Sequence, residues 1–356
     1  MVMNIAQYSN VGRQTELDIA RGLAIIFMVL IHCVEYFYNG EDSVFFKVAN
    51  FLGSPPAAPV FMFILGCGII YSRHNSPQLL FRRGILLFLL SYVFNALVYV
   101  APYFIYSVLH SEPEFFEENW TQIYDADILQ FAGLAFMFFA LTKSLNLKSF
   151  GYIVLGVILA GIGMYLNAEF AEFESDLMLG VTGLFWGTHE GSYFPFLCWI
   201  PYPIAGYIFA EILRETHPDD KAKFYKKISI ISGIIFVVAA VVLAQFYEWD
   251  EMMDGDIYYH QNIFLHIMFI AFILMWIGIL YAISSYLANF IMSFLKTLSV
   301  HVTLFYCLQY FFIIYIQVLI FGDNPEWGMM PTLLMFIGVT IASYLATLAY
   351  KKLRKA

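Results

Sequence analysis

The strongest constraint on this chain is a succession of apolar runs, each about as long as a helix must be to cross the hydrocarbon core of a bilayer, roughly 20 residues. Ten runs meet that length: 17–38, 48–72, 84–109, 126–142, 149–166, 192–213, 228–247, 262–287, 298–321 and 331–350. Backbone inside hydrocarbon has to satisfy its own hydrogen bonds, so runs of this kind fold as helices. The expected fold class is therefore all-α, a polytopic integral membrane bundle of about ten transmembrane helices. The stretch 179–190 is apolar but short, which suits a re-entrant or interfacial segment. With 61% hydrophobic and 13% charged residues, a chain of 356 residues lacks the polar surface of a soluble fold of that size. The polar stretches at 110–125 and 248–262 are too short to hold a further domain, so residues 1–356 read as a single membrane domain.

Charge fixes the expected orientation. If the N-terminus is cytoplasmic, every Lys and Arg except Lys47 falls in the segments 1–21, 73–83, 143–148, 211–227, 288–297 and 351–356. All acids except Glu16, Asp18, Glu211, Glu215, Asp219 and Asp220 fall on the opposite side. Basic residues in short loops set topology, whereas acids contribute little to it. Both termini are thus expected in the cytoplasm, with the protein in a cell (inner) membrane. Residues 1–16 lack a signal-peptide apolar core, so the first helix is expected to be retained. Cys33, Cys67, Cys198 and Cys307 all lie in apolar runs with no close CxxC pair, which predicts packing roles and no metal or redox centre.

The first run, LDIARGLAIIFMVLIHCVEYF, carries Asp18, Arg21, His32 and Glu35. At 100° per residue, Arg21 and His32 differ by only about 20° around the helix, three turns apart. Asp18 lies one turn before Arg21 and Glu35 one turn after His32, so all four form one stripe. His32 stands about 16 Å beyond Arg21, near the middle of a bilayer core of roughly 30 Å if Arg21 marks its cytoplasmic edge. Ionisable groups at that depth face a cavity or the bundle interior. A lone histidine there is as well explained by a hydrogen bond to a neighbouring helix, but the alignment of four groups favours a functional wall. Histidine suits proton transfer near neutral pH. Asp18 is expected to pair with Arg21 at i,i+3. Glu35 fits two roles equally, orienting the imidazole or marking the outer headgroup region.

The string Leu17-Asp18-Ile19-Ala20-Arg21-Gly22-Leu23-Ala24, followed by His32, resembles the opening of the transmembrane acyltransferase superfamily. Arginine, ten residues and then histidine is similar to the signature of acyltransferase family 3. Later segments resemble the heparan-α-glucosaminide N-acetyltransferase-like branch. They are Ala58-Pro59-Val60-Phe61-Met62-Phe63-Ile64-Leu65-Gly66, Arg82-Arg83-Gly84, Asp127-Ile128-Leu129-Gln130-Phe131-Ala132-Gly133 and Phe194-Pro195-Phe196-Leu197-Cys198-Trp199-Ile200. In the animal lysosomal enzymes of that branch the histidine proposed as catalytic lies in the first luminal loop. This chain has none between 33 and 73, and its candidate sits inside the helix, as in acyltransferase family 3.

The resemblance implies an acyl-CoA donor, usually acetyl-CoA, arriving from the cytoplasm, and a hydroxyl or amine acceptor, commonly on a sugar or glycan, reached from the other face. His32 would be the catalytic base or an acyl carrier, with Asp18 and Glu35 supporting it. Arg21, Arg82, Arg83, Arg73 and His301 are the candidates for acyl-CoA binding, since guanidinium–phosphate pairs are strong and directional. Positive-inside orientation and lipid headgroup contact explain Arg73, Arg82 and Arg83 equally well. His189, Glu190 and Trp199 are candidates for acceptor binding, against a solvated loop. Asn95 and Gln309 lie within spans and are expected to join helices by hydrogen bonds. The prolines of Ser54-Pro55-Pro56-Ala57-Ala58-Pro59 should loosen the second helix and let it line a cavity. Expected partners are membrane lipid, acyl-CoA and the acceptor; no nucleic acid is expected, and a homo-oligomer is compatible with the sequence. A secondary transporter, which also needs a polar midplane site, is the alternative class, and a non-catalytic scaffold ranks third.

Overall fold

The computed structural model describes residues 10–40, 43–170, 175–187, 191–253, 255–322 and 325–354. The apolar runs become helices, as hydrocarbon demands of them. We label them α1 (Thr15–Phe37), α2 (Val44–Tyr71), α3 (Pro77–His110), α4 (Ile128–Ser144), α5 (Ser149–Glu169), α6 (Phe196–Glu215), α7 (Pro218–Leu243), α8 (Ile263–Tyr286), α9 (Val302–Phe321) and α10 (Met329–Leu353). Nine of these, all but the shorter apolar α4, are long and apolar enough to cross a membrane among the described residues. The only extended pairings among those residues are two isolated bridges, Tyr38 with Trp327 and Ala126 with Ser192. The chain is thus an all-α polytopic membrane bundle.

Burial is distributed as a lipid solvent requires. The helix α1 is the central element, packed against α2, α8, α9 and α10 and against a short helix, Asn289–Val300, that runs along it. A Cβ on Gly22 would lie 2.8 Å from the Leu295 carbonyl oxygen, so only glycine lets that helix lie so close. The peripheral helices turn apolar side chains outward: Ile234, Val237, Val238 and Val241 on α7, and Leu334, Ile337, Ile341 and Leu345 on α10, are all exposed. Large apolar exposure of this extent would destabilise a water-soluble protein but suits lipid contact.

Several helices depart from regular geometry, and three of these departures bear on the central cavities. The helix α2 breaks over 54–57 between Val44–Gly53 and Ala58–Tyr71, where Pro55 and Pro56 withhold backbone donors. The expected loosening by these prolines is present. In α3, residues Ala96–Val100 form a π-helical segment in which Ala101 N–H reaches back to the Ala96 carbonyl. The same register leaves the Leu97 carbonyl facing Pro102, which has no N–H; the Tyr315 hydroxyl donates to it instead, at 2.8 Å. The third departure corrects an expectation. The run 298–321 was expected to form one helix, but His301 leaves helical dihedrals (φ −108°, ψ 28°) and separates Asn289–Val300 from α9. The segment 288–297, expected as a loop, is largely part of that amphipathic helix, with Leu295, Leu298 and Ser299 as its buried residues. The short apolar stretch near 179–190 contributes a helix at Asp176–Phe185.

Candidate active site

His32 is held on both ring nitrogens. Its Nδ1 lies 3.1 Å from Gln309 Oε1, and its Nε2 lies 2.9 Å from the Tyr310 hydroxyl. Both partners come from α9, one residue apart, and the Tyr310 ring stands 4.3 Å from the imidazole centroid to centroid. With the amide oxygen on Nδ1, that nitrogen carries the proton, and Nε2 presents a lone pair that accepts from Tyr310. The tautomer is therefore the one a general base needs, with its basic nitrogen aimed away from the protein amide. Gln309 joins helices as expected, here by holding the candidate base.

A second polar cluster lies beside it. Asp127 is the N-cap of α4: its Oδ1 accepts from Ile128 N–H at 2.6 Å, and Gln130 Oε1 accepts from Asp127 N–H at 3.3 Å, closing a capping box. Its other oxygen accepts from Tyr99 at 3.2 Å and from Tyr306 in a shorter contact. One carboxylate thus ties α3, α4 and α9 together, and the π-helical segment of α3 is what carries Tyr99 to it. The Tyr310 ring packs edge-on against Tyr99 and Tyr306, so the Asp127 cluster and the His32 cluster share one wall.

Three connected spaces meet at this wall. On the basic end, a cavity of about 340 Å³ is lined by Arg21, Arg83 and otherwise mainly apolar side chains of α2, α4 and α9. Met28, Phe61, Ile128 and Tyr306 of its lining also line a chamber of about 50 Å³ whose wall includes His32 and Asp127. That chamber opens past His32, Glu35, Asp127, Phe194 and Tyr259 into a vestibule of about 890 Å³ on the acid-rich end. Tyrosines 36, 99, 103, 124, 193, 259 and 310 line the vestibule, together with Asn119, Gln122 and Gln317. Asn50, Ser54 and Ala57 at the α2 break line the small chamber.

The other expected residues are placed as follows. Arg21 stands in the basic cavity and donates to the Ser299 carbonyl at 3.4 Å. Asp18 forms its close ion pair with Arg13 and accepts from the Ser299 hydroxyl at 2.7 Å, while its charge still acts on Arg21 from a greater distance. Arg13 arrives from the segment before α1, which helix periodicity alone does not place. Asp18 is also about 21 Å down the helix axis from His32, so it belongs to the basic end rather than to the imidazole. Arg83 lies over the Phe136 ring, 4.4 Å from its centroid, at the cavity wall. Arg73 and Arg82 are exposed at the same end, and His301 sits at the break next to Val302 and Thr303 of the cavity lining. Glu35 lines the chamber and the vestibule, while the imidazole nitrogens are taken by Gln309 and Tyr310. Trp199 is fully buried and donates its indole N–H to the Tyr259 carbonyl at 2.8 Å, so it supports a vestibule residue and has no face for an acceptor to stack on. His189 and Glu190 lie outside the described residues.

A family model described as an acyltransferase domain, of the acyltransferase 3 type, matches residues 14–351. The chain belongs to the acyltransferase 3 family. None of the curated proteins matches it. As a membrane acyltransferase, it has a tyrosine-rich vestibule lined in part by its candidate imidazole and a basic cavity that shares four lining residues with the small chamber beside it. Sequence reasoning missed Asp127, Tyr99, Tyr306 and Tyr310 as parts of this site. Asp127 entered only through a likeness in the segment 127–133, and the tyrosines resembled the many lipid-contacting aromatics.

The loop leading into α4 supplies a titrating group. Burial, and secondarily the nearby Asp127 charge, pushes the Asp125 carboxyl up to about 8. An unfolded aspartate ionises near pH 3.9. Between about pH 4 and 8 the unfolded chain therefore binds fewer protons than the fold, so stability falls across that window and levels off above it. The Asp125 backbone carbonyl accepts from Asn95 and Gln130 at 3.0 and 2.9 Å, contacts that a side-chain change leaves in place. The acyltransferase with Asp125→Asn should thus melt with the wild type near pH 4 and above it at pH 8. A difference in melting temperature that is constant with pH would refute the assignment.

Proposed function

We propose that the protein transfers an acetyl or other short acyl group from cytoplasmic acyl-CoA to a hydroxyl or amine of an extracytoplasmic glycan or related acceptor. The observation that carries this reading is a pair of unlike cavities on either side of the small chamber that holds His32. One, of about 340 Å³, has Arg21 and Arg83 at its wall; the other, of about 890 Å³, is lined by tyrosines and amides. The positive-inside rule favours a cytoplasmic position for the basic end and for both termini, which suits a cell (inner) membrane.

The chemistry follows from the arrangement. Arg21 and Arg83, aided at the rim by Arg73, Arg82 and His301, would hold the phosphates of CoA. The pantetheine arm would lie along the apolar wall and bring the thioester past Met28 and Phe61. The acceptor oxygen or nitrogen attacks the thioester carbon while its proton passes to His32 Nε2, directly or through the Tyr310 hydroxyl. The carbon–sulfur bond then breaks, and the imidazolium returns the proton to the departing thiolate. Gln309 fixes the tautomer throughout, and acetyl-CoA acts as donor rather than resident cofactor. The segments that resemble the heparan-α-glucosaminide N-acetyltransferase-like branch favour a sugar acceptor.

Sidedness provides the test. Purified protein is placed in proteoliposomes of known orientation, with labelled acetyl-CoA on one side and a glycan acceptor on the other. Labelled acceptor is expected only when acetyl-CoA is on the side of the basic loops. Accumulation of acceptor or of intact acyl-CoA across the bilayer, without an acylated product, would instead establish a transporter.

A further inference from the structure

We infer that the outer vestibule selects acceptors by charge, taking neutral or amine-bearing hydroxylated molecules and turning away phosphorylated or carboxylated ones. The inference rests on the acyl-transfer reading above, and it concerns which acceptors reach His32.

The vestibule is a built site, apart from any acids around it. It has about 890 Å³ of space, falls within the range of ligand pockets and reaches His32 at its floor. Its tyrosines offer aromatic faces to the apolar side of a sugar ring and hydroxyls to its edge. On this wall Glu35, Glu118, Asp125, Asp127 and Asp176 are placed, and no Lys or Arg occurs among the described lining residues. Burial pushes the Asp125 carboxyl up, while Glu118 and Asp176 stand exposed at the rim of a recess with low-dielectric walls. Such a recess focuses a negative potential on whatever enters. An anionic acceptor would lose the water around its charge and find no cation in exchange. An ammonium group would gain both the carboxylates and the tyrosine faces.

The rest of that end reinforces the field. Lys47 is the sole Lys or Arg expected there, and it is already paired with Asp250 at 3.2 Å. An arriving anion thus meets no unpaired Lys or Arg among the described residues of that end, while a cation is drawn in over the range of the Debye length.

The test uses the full chain in lipid nanodiscs without any donor, so that binding is read apart from transfer. The probes are the methyl glycosides of glucose, glucosamine, glucuronic acid and glucose 6-phosphate, ranked by saturation-transfer NMR. The first two are expected to bind about tenfold more tightly than the last two, with the glucosamine probe weakening as salt rises. In Glu118→Gln and Asp176→Asn, at the exposed rim, the gap between the amine and carboxylate probes should shrink. Equal affinity for the four probes, tighter binding of the anionic pair, or binding of none of them overturns the inference. If charge selection is present but no acyl transfer from acetyl-CoA accompanies it, the acyl-transfer reading fails while the selection stands.

Discussion

Replacing His32 by alanine is expected to lower acyl transfer by about 10²–10⁴-fold, the contribution of a positioned general base, while the protein still folds. The imidazole alone, among the described residues, is a neutral base that lines both the small chamber and the vestibule. Its removal leaves the Gln309 amide oxygen and the Tyr310 hydroxyl without their partner, a cost of about 1–3 kcal/mol if water does not enter. Because a chamber continuous with the vestibule admits water, the loss should be smaller than that, and the melting temperature in detergent should show it. His32→Gln sharpens the test by restoring hydrogen bonding without basicity; it should recover stability and not activity. Gln309→Leu asks a separate question. If the amide fixes the tautomer, the variant should shift the pH profile of kcat as well as lower it, whereas a merely structural glutamine would lower activity at every pH alike. Transfer by His32→Ala at the wild-type rate would remove the histidine from the mechanism.

How far the sequence reveals this molecule depends on which physical demand each residue answers. The spans were legible because hydrocarbon imposes a length on every one, and most of α1 to α10 follow the apolar runs within a few residues, although α3 begins at Pro77 rather than at 84 and α7 at Pro218 rather than at 228. His32 was legible for a related reason, since a polar group amid a run such as Ile25 to Ile31 has to be accounted for. Asp127 was not, because it stands at the edge of a run, where a carboxylate is inexpensive and needs no function. Nor were Tyr99, Tyr306 and Tyr310, three of 25 tyrosines in a chain whose aromatics mostly suit lipid and headgroups. Only the folding of α3 against α9 distinguishes them, and that contact runs through the π-helical segment Ala96–Val100. Trp199 shows the opposite error. Beside Pro195 and Pro201 at a helix start it resembles a sugar platform, yet its N–H is used within the core. Asp18 makes its close pair with Arg13 because i,i+3 spacing describes one helix, and the competing Arg13 comes from outside it.

The contact between α2 and α6 carries the second large expected effect, on stability. In hydrocarbon there is little hydrophobic gain from joining helices, so close backbone approach through small residues takes its place. A Cβ on Gly66 would lie 1.9 Å from the Pro203 carbonyl oxygen, and one on Gly206 would lie 1.8 Å from the Phe63 carbonyl oxygen. These neighbours are backbone atoms and have no rotamer to retreat into, so the helices themselves must separate by more than an ångström. Separation would also stretch the Cys67 contact to the Gly206 carbonyl, now 3.2 Å. Overpacking of this kind costs about 1–3 kcal/mol and at times more. Gly66→Ala and Gly206→Ala should therefore each lower the melting temperature in detergent by several degrees. Gly68 lies two residues along α2, and a Cβ there meets nothing within 4 Å. Gly68→Ala is the matched control, with the same change of propensity and no clash, and should melt with the wild type or slightly above it. Because Phe61 of α2 lines both the basic cavity and the small chamber, the separated helices should also widen the passage between donor and acceptor. Purified Gly66→Ala would then hydrolyse acyl-CoA without acceptor faster than the wild type, as water gains a path to the thioester. Unchanged melting of both clashing variants would show that α2 and α6 do not approach as closely as their glycines allow.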